Sequence, residues 1–309
     1  SIYDTGSFNV SMFTINQRRL LPLRVFTRSS NGTFPLIVFH HGTFLKTRIY
    51  TGILTHIASY GYVVVAPQVS YFLGHKCHTS IEDAARVIEW LLGNFAAFLP
   101  AGVSVNIGKL VNMGHSKGGK IAFALALNIK ANISVPFATL VGLDPMDGTK
   151  IGQTQPRVLY DAPIVFQYPS LIIGTGLSGA CSPAKYNHGG FFNQTRSMVV
   201  DLIPSEYGHM DFVDDLGAVD RQRVFLLACK RKRPRKPMRD FTAGAVVPPS
   251  CPLQCHRCVC QHCQKPVFGS CPTPGTSCPY CLKFIYNIYL RIYNKLLCIA
   301  CNSNFIIAY

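Results

Sequence analysis

The chain has 309 residues, 48% of them apolar, and carries 30 Lys and Arg against 14 Asp and Glu, a formal net charge of +16. That apolar content supplies a sizeable core and excludes disorder of the whole chain, and with no run of about 18 uncharged apolar residues a membrane-spanning helix is not expected. The charge is unevenly placed: residues 1–229 hold 18 basic and 13 acidic side chains, KRKRPRKPMRD (230–240) holds seven and one, and 241–309 hold five and none. The main body is therefore only mildly basic, which argues against a polynucleotide groove and for no nucleic-acid partner.

The first 33 residues predict antiparallel strands at one edge of a sheet. From Phe34 onward, short runs rich in Val, Ile and Leu alternate with helical segments. The β-type runs are Pro35–His40, Tyr62–Ala66, Lys109–Met113, Thr139–Leu143, Ser170–Gly174 and Ser197–Leu202. Each is too short for an ordinary helix and reads as a strand buried on both faces. Between them, a helix is predicted over Thr51–Tyr60, stopped by Gly61. A second runs from an N-cap at Ser80 to Leu92, with Ile81, Ala84, Ala85, Ile88 and Leu92 on one face. A third, small and apolar, runs over Gly118–Leu127. Such alternation implies an α/β fold with a mostly parallel sheet, helices on both faces and right-handed crossovers.

The chemistry concentrates after the strand at Lys109–Met113. There stands Gly114-His115-Ser116-Lys117-Gly118, a G-x-S-x-G in the strand-before, helix-after context that the motif requires. The glycines let strand and helix approach while the Ser sits on a sharp turn with its hydroxyl exposed. The Lys117 N–H, in the first helical turn, points to where an oxyanion would form. A nucleophilic Ser needs a base, and the base an orienting acid; in this fold the chain order is Ser, acid, His. Asp144 directly follows the strand Thr139–Leu143 and is the expected acid. Asp147, three residues on and expected in solvent, is the competitor; Asp161 and Asp201 are less well placed. His209, in Tyr207-Gly208-His209-Met210-Asp211, is the expected base, with His188 the alternative. The loop His40-His41-Gly42-Thr43-Phe44 should supply a second oxyanion donor, the Thr43 N–H ahead of that of Phe44. His40 and His41 read as structural, since no further ligand follows at metal spacing. This chemistry is acyl transfer and requires no cofactor or metal.

Read together, these residues resemble the plant chlorophyllases, a carboxylesterase branch of the α/β-hydrolase fold. The stretches that carry the likeness are Tyr3-Asp4-Thr5-Gly6, FPLIVFHHG, SYGYVVVAPQ, IEDAARVIEWL, GHSKGGKIAFALAL, VGLDPMDG, CSPAKYNHGGFF and YGHMDFVDD. The resemblance implies hydrolysis of the ester joining chlorophyll's propionate arm to phytol, and it puts the family's triad on Ser116, Asp144 and His209. It also implies a chloroplast location, with other plant intracellular membranes as the alternative, and peripheral contact with pigment-bearing membranes. Lys117 departs from the usual Arg, but only its backbone N–H serves the oxyanion. Thr43 departs from a usual large apolar residue at the pocket entrance.

The cysteines divide the chain as the charge does. Only Cys77, Cys181 and Cys229 precede residue 250; the other ten lie between Cys251 and Cys301. Three scattered cysteines predict no disulfide framework in the main body, hence a reducing compartment. The expected domain is residues 1–247. Its final helix, over Met238–Val247, is cut short by Pro248-Pro249. Residues 248–309 form a Cys- and Pro-rich tail of irregular structure. One reading makes Cys260, Cys263, Cys278 and Cys281 a zinc ribbon, with Cys255, Cys258, His256 and His262 as a second set. The other is an altered reading frame, favoured by the absence of any acid over 69 residues and the Ile/Tyr/Asn/Lys/Phe bias of the last 27. It predicts a tail with no packed core and no complete metal site, and low stability for the domain. The basic run 230–239 reads as a solvated helix end or loop.

Overall fold

The computed structural model describes residues 3–69, 77–160, 162–217, 220 and 229–247, together with the backbone of five short strands between 256 and 305. Its centre is one twisted sheet. Strands β1 (Val10–Ile15), β2 (Leu23–Arg28), β3 (Gly32–His40), β4 (Val63–Pro67), β5 (Val103–His115) and β6 (Thr139–Leu143) are followed by a two-rung hairpin, β7 (Gly148–Thr149) and β8 (Gly152–Gln153). Then come β9 (Ser170–Ile173) and β10 (Val199–Pro204). The sheet order is β1-β2-β4-β3-β5-β6-β9-β10, with Ile288–Ile292 antiparallel on the outer edge of β10. β1 and β2 are the antiparallel edge expected of the N-terminal residues, and from β4 to β10 every pairing is parallel.

Right-handed crossovers decide which helix covers which face. The chain leaves β3 through α1 (Thr51–Ala58) and moves one way to β4; it then returns through α2 (Cys77–Asn94) past β3 to β5. Reversing direction while keeping the hand puts α1 and α2 on opposite faces. The side chains of β3 record this. Leu36 and Val38 pack with Ile81, Ile88 and Leu91 of α2 and with Ile121 and Phe123 of α3 (Lys117–Ala126). Ile37 and Phe39 pack with Ile53, Leu54 and Ile57 of α1 and with Met238 and Phe241 of the last helix, α5 (Arg235–Val246). The carboxyl ends of β3 and β5 flank the point where the winding reverses, the place where α/β sheets open a crevice.

Three expectations change. α2 begins at Cys77, so Ser80 is inside the helix rather than its cap. A helix not foreseen, α4 (His188–Gln194), starts behind Asn187, whose side chain accepts the Gly189 N–H at 3.0 Å. Cys181 and Cys229 are joined as a disulfide with Cα atoms 5.5 Å apart. They are 48 residues apart in sequence, and only the folding of two loops onto one another brings them together. The expectation of a reducing compartment loses its ground with that bond. α5 is a full three turns and buries Met238, Phe241, Ala243, Ala245 and Val246. No described helix is long and apolar enough to cross a membrane. The zinc-ribbon cysteines and the packing of the tail lie outside the described residues, as does Asp161.

Candidate active site

Ser116 sits between β5 and α3 with φ 58° and ψ −123°, a backbone conformation that a non-glycine residue adopts only under constraint. The constraint is crowding that the flanking glycines permit. A Cβ on Gly114 would strike the Gly118 backbone, and one on Gly118 would strike the carbonyls of His40 and His41. The end of β5, the start of α3 and the loop after β3 therefore meet at backbone contact. Ser116 is held there by its own N–H to the Leu143 carbonyl and by the Met146 N–H to its carbonyl, both at 3.0 Å.

Asp144 follows the end of β6, next to β5, and His209 lies in the loop after β10, three strands from β5; both reach Ser116 at one edge of the sheet. The Ser116 hydroxyl lies 2.9 Å from His209 Nε2, and His209 Nδ1 lies 2.7 Å from Asp144 Oδ2. A carboxylate can only accept, so Nδ1 carries the proton and Nε2 is free to accept from the Ser hydroxyl. Thr175, just past β9, donates to the same Asp144 oxygen at 3.1 Å. Burial pushes the Asp144 carboxyl up, but the hydrogen bond and charge of His209, with smaller help from His188 and His115, outweigh it. The group sits below its ordinary value and stays ionised. The loop carrying His209 is braced from two sides. Asp211 accepts the Gly208 N–H at 2.7 Å, and the Arg235 guanidinium, at the start of α5, donates to the Met210 carbonyl at 3.2 Å and stands 3.4 Å from Asp211.

His188 is not part of this line. It is buried at the start of α4, with Nδ1 3.2 Å from Asp201 of β10. His40 donates from Nε2 to the Asn112 side-chain oxygen at 2.9 Å. His41 donates from Nδ1 to the Gly42 carbonyl, and its Nε2 accepts the Val69 N–H at 2.9 Å. Both shape the turn that presents Gly42 against Ser116; a Cβ on Gly42 would stand 3.2 Å from that of Ser116. Thr43 and Phe44 follow on the exposed side, Phe44 with φ 58°. Lys117 is the first residue of α3. Among the described residues no three His, Cys, Asp or Glu side chains gather as a metal site.

Desolvation pushes the imidazoles of His40 and His41 down to about 4 and that of His115 to about 3. Each is neutral in the folded chain but takes up a proton on unfolding below about pH 6.5, so acid favours the unfolded chain. Stability should be complete above about pH 6.5 and fall toward pH 4, at up to about 1.4 kcal/mol per pH unit for each histidine. Urea unfolding at pH 7.5 and 5.0 measures this; equal midpoints would contradict it.

Asp147 corrects an expectation. It is fully buried, not solvated. Its Oδ1 pairs with Lys120 Nζ at 2.9 Å, and its Oδ2 accepts the N–H groups of Val158 and Leu159 at 3.0 and 2.8 Å. Lys120 also donates to the Thr154 carbonyl and hydroxyl, both at 2.7 Å. The pair thus fastens the loop after β6 to α3, one turn from Ser116, and holds Met146 with its sulfur 3.8 Å from the Ser116 hydroxyl. Sequence reasoning missed Lys120 and Met146; the only signal was a Lys inside an apolar helix, which has to find a buried anion. Asp147→Asn would strand the ammonium and should cost roughly 3–5 kcal/mol, lowering Tm by on the order of 10 °C. A thermal melt within about 2 °C of wild type would contradict the clamp.

Known proteins resemble this chain along the same stretch. The chlorophyllase family model matches residues 1–249. Chlorophyllase-1 of Arabidopsis thaliana is 37% identical over 244 residues, covering 73% of this chain and 74% of its own. Chlorophyllase-1, chloroplastic, of Citrus unshiu is 38% identical over 237 residues, 73% of this chain and 70% of its own. Chlorophyllase type 0 of Chenopodium album is 32% identical over 267 residues, 80% and 76%. A match over most of the chain, whose residues build a Ser–His–Asp line at the mouth of a hydrolase-type sheet, places this protein in the chlorophyllase family.

Proposed function

We propose that the chain is a serine carboxylesterase that hydrolyses the phytyl ester of chlorophyll to chlorophyllide and phytol, and that residues 1–247 are the unit that does so. The observation that carries this reading is the continuous hydrogen-bonded line Ser116–His209–Asp144 in a member of this family. Ser116 Oγ attacks the ester carbonyl carbon while its proton passes to His209 Nε2. The resulting imidazolium is held by the Asp144 carboxylate. The N–H groups of Thr43 and Lys117 donate to the tetrahedral oxyanion; one such donor is worth roughly 3–4 kcal/mol in related hydrolases. The oxyanion collapses, the bond to phytol breaks, and His209 returns the proton to the departing alkoxide. Water, deprotonated by His209, then attacks the acyl-enzyme, and chlorophyllide leaves as Ser116 recovers its proton. Lys117 does not disturb this scheme, because its side chain takes no part in it.

Action in the chloroplast, by peripheral contact with pigment-bearing membranes, fits the names of the Citrus relatives. The test of the substrate is direct: chlorophyll in detergent and a short p-nitrophenyl ester are offered to the purified full chain. A kcat/KM for chlorophyll well above that for the short ester, with chlorophyllide and phytol in equal amounts, supports the reading. Turnover of the short ester alone reduces it to a general carboxylesterase.

A further inference from the structure

One buried line of hydrogen bonds is not used by the chemistry above, and it joins the two loops on which that chemistry depends. The Gly42 N–H lies 3.2 Å from the Tyr50 hydroxyl, the Tyr50 hydroxyl 2.7 Å from His115 Nδ1, and His115 Nε2 2.8 Å from the carbonyl of His209. Tyr50 and His115 are both fully buried. Phe39 packs on the edge of Tyr50, and Phe212 and the His209 ring lie against His115 at 5.2 and 4.8 Å.

The direction of the line follows from its ends. The His209 carbonyl can only accept, so His115 Nε2 carries the proton. Burial keeps His115 neutral, with an imidazole pushed down to about 3, so it has no second proton and Nδ1 presents a lone pair. The Tyr50 hydroxyl must then donate to Nδ1. Its oxygen keeps lone pairs, one of which accepts the Gly42 N–H. Every donor and acceptor is matched in one sense: Gly42 to Tyr50 to His115 to His209.

We infer that Tyr50 and His115 are positioning residues of the esterase, spacing the oxyanion loop and the catalytic base on either side of Ser116 through this single line of hydrogen bonds. The inference rests on the Ser116–His209–Asp144 reading. At one end the line holds the Gly42 N–H, one residue before Thr43, the proposed oxyanion donor. At the other it holds the backbone of the base itself. The middle member is the residue immediately before the nucleophile, so all three parts share one reference. A phenylalanine would fill the space of Tyr50 equally well beside Phe39 but would lack the hydroxyl that joins Gly42 to His115. Displacement of a catalytic group by a fraction of an ångström is enough to cost turnover while substrate binding persists.

The test uses the full chain with Tyr50→Phe, His115→Gln, the double variant and Ser116→Ala. The Gln side-chain amide can still donate to the His209 carbonyl but cannot take the place of Nδ1 before Tyr50. Tyr50→Phe should lower kcat about tenfold or more with KM within about twofold, after correction for active sites titrated with an organophosphonate. His115→Gln should do likewise. The double variant should be no slower than the slower single one, because both break the same line. Wild-type kcat per titrated site in Tyr50→Phe, or losses that multiply in the double variant, would overturn the inference. An active Ser116→Ala enzyme would instead remove the reading on which it rests, which keeps the two failures distinct.

Discussion

Ser116→Ala should lower kcat on chlorophyll and on a short p-nitrophenyl ester by roughly 10⁴- to 10⁶-fold while leaving the thermal midpoint unchanged. The substitution removes one hydroxyl whose polar partners are His209 Nε2 at 2.9 Å and the Met146 sulfur at 3.8 Å. Neither contact ties the fold together. The backbone bonds that hold the turn, to Leu143 and from Met146, do not involve the side chain. His209→Ala should cost nearly as much, and the double variant little more than either, since the triad acts as a unit. His188→Ala is the informative control. It breaks a buried pair with Asp201 and should show mainly as lost stability. A His188→Ala enzyme slower than His209→Ala would sink the choice of base.

Asp144→Asn should leave the chain folded and reduce kcat by about 10⁴-fold. The side chain is isosteric, and the Thr175 hydroxyl, which meets the same Oδ2 that faces His209, can accept from an amide placed there. What changes is the imidazole. An Asn amide facing His209 Nδ1 can donate to it, which moves the proton to Nε2, where it meets the Ser116 hydroxyl as a donor instead of a base. The lost negative charge also leaves the imidazolium of the transition state without its counter-ion. Asp147→Asn should give the opposite pattern, a large fall in Tm with a smaller fall in kcat per folded molecule. Kinetics and melts on the two variants side by side separate the roles. Equal loss of turnover per folded molecule at both positions would refute the assignment of Asp144 as the triad acid.

Much of this was legible in the sequence because the relevant signals are local. A run such as FPLIVFH or TLVGL can bury both faces only inside a parallel sheet, and six such runs alternating with helices leave few architectures open. The pentapeptide GHSKG specifies a turn by its glycines, and the turn specifies where the Ser stands. Asp144 and His209 follow from chain order, because Asp144 directly follows one strand, His209 lies in the loop after another, and all parallel strands deliver their ends to one edge. The boundaries were less legible. The start of α2 at Cys77 and the short helix at His188 have no strong local signal to overcome competing turns.

What only the tertiary structure decided are the pairings between segments far apart in sequence. Nothing near Asp147 announces that it is buried; it becomes so because Lys120, one turn into α3, needs an anion where no water reaches. Cys181 and Cys229 look unrelated until two loops fold across each other. Nothing in the sequence around Tyr50, in the short turn before α1, announces that its hydroxyl joins Gly42 to His115. The sequence by itself determined the sheet and the positions of Ser116, Asp144 and His209 along it, since local propensity and strand order dictate them. The spacing of those residues was decided in three dimensions, because buried hydrogen-bonding groups must find one another across the core and the chain can satisfy them in only one arrangement.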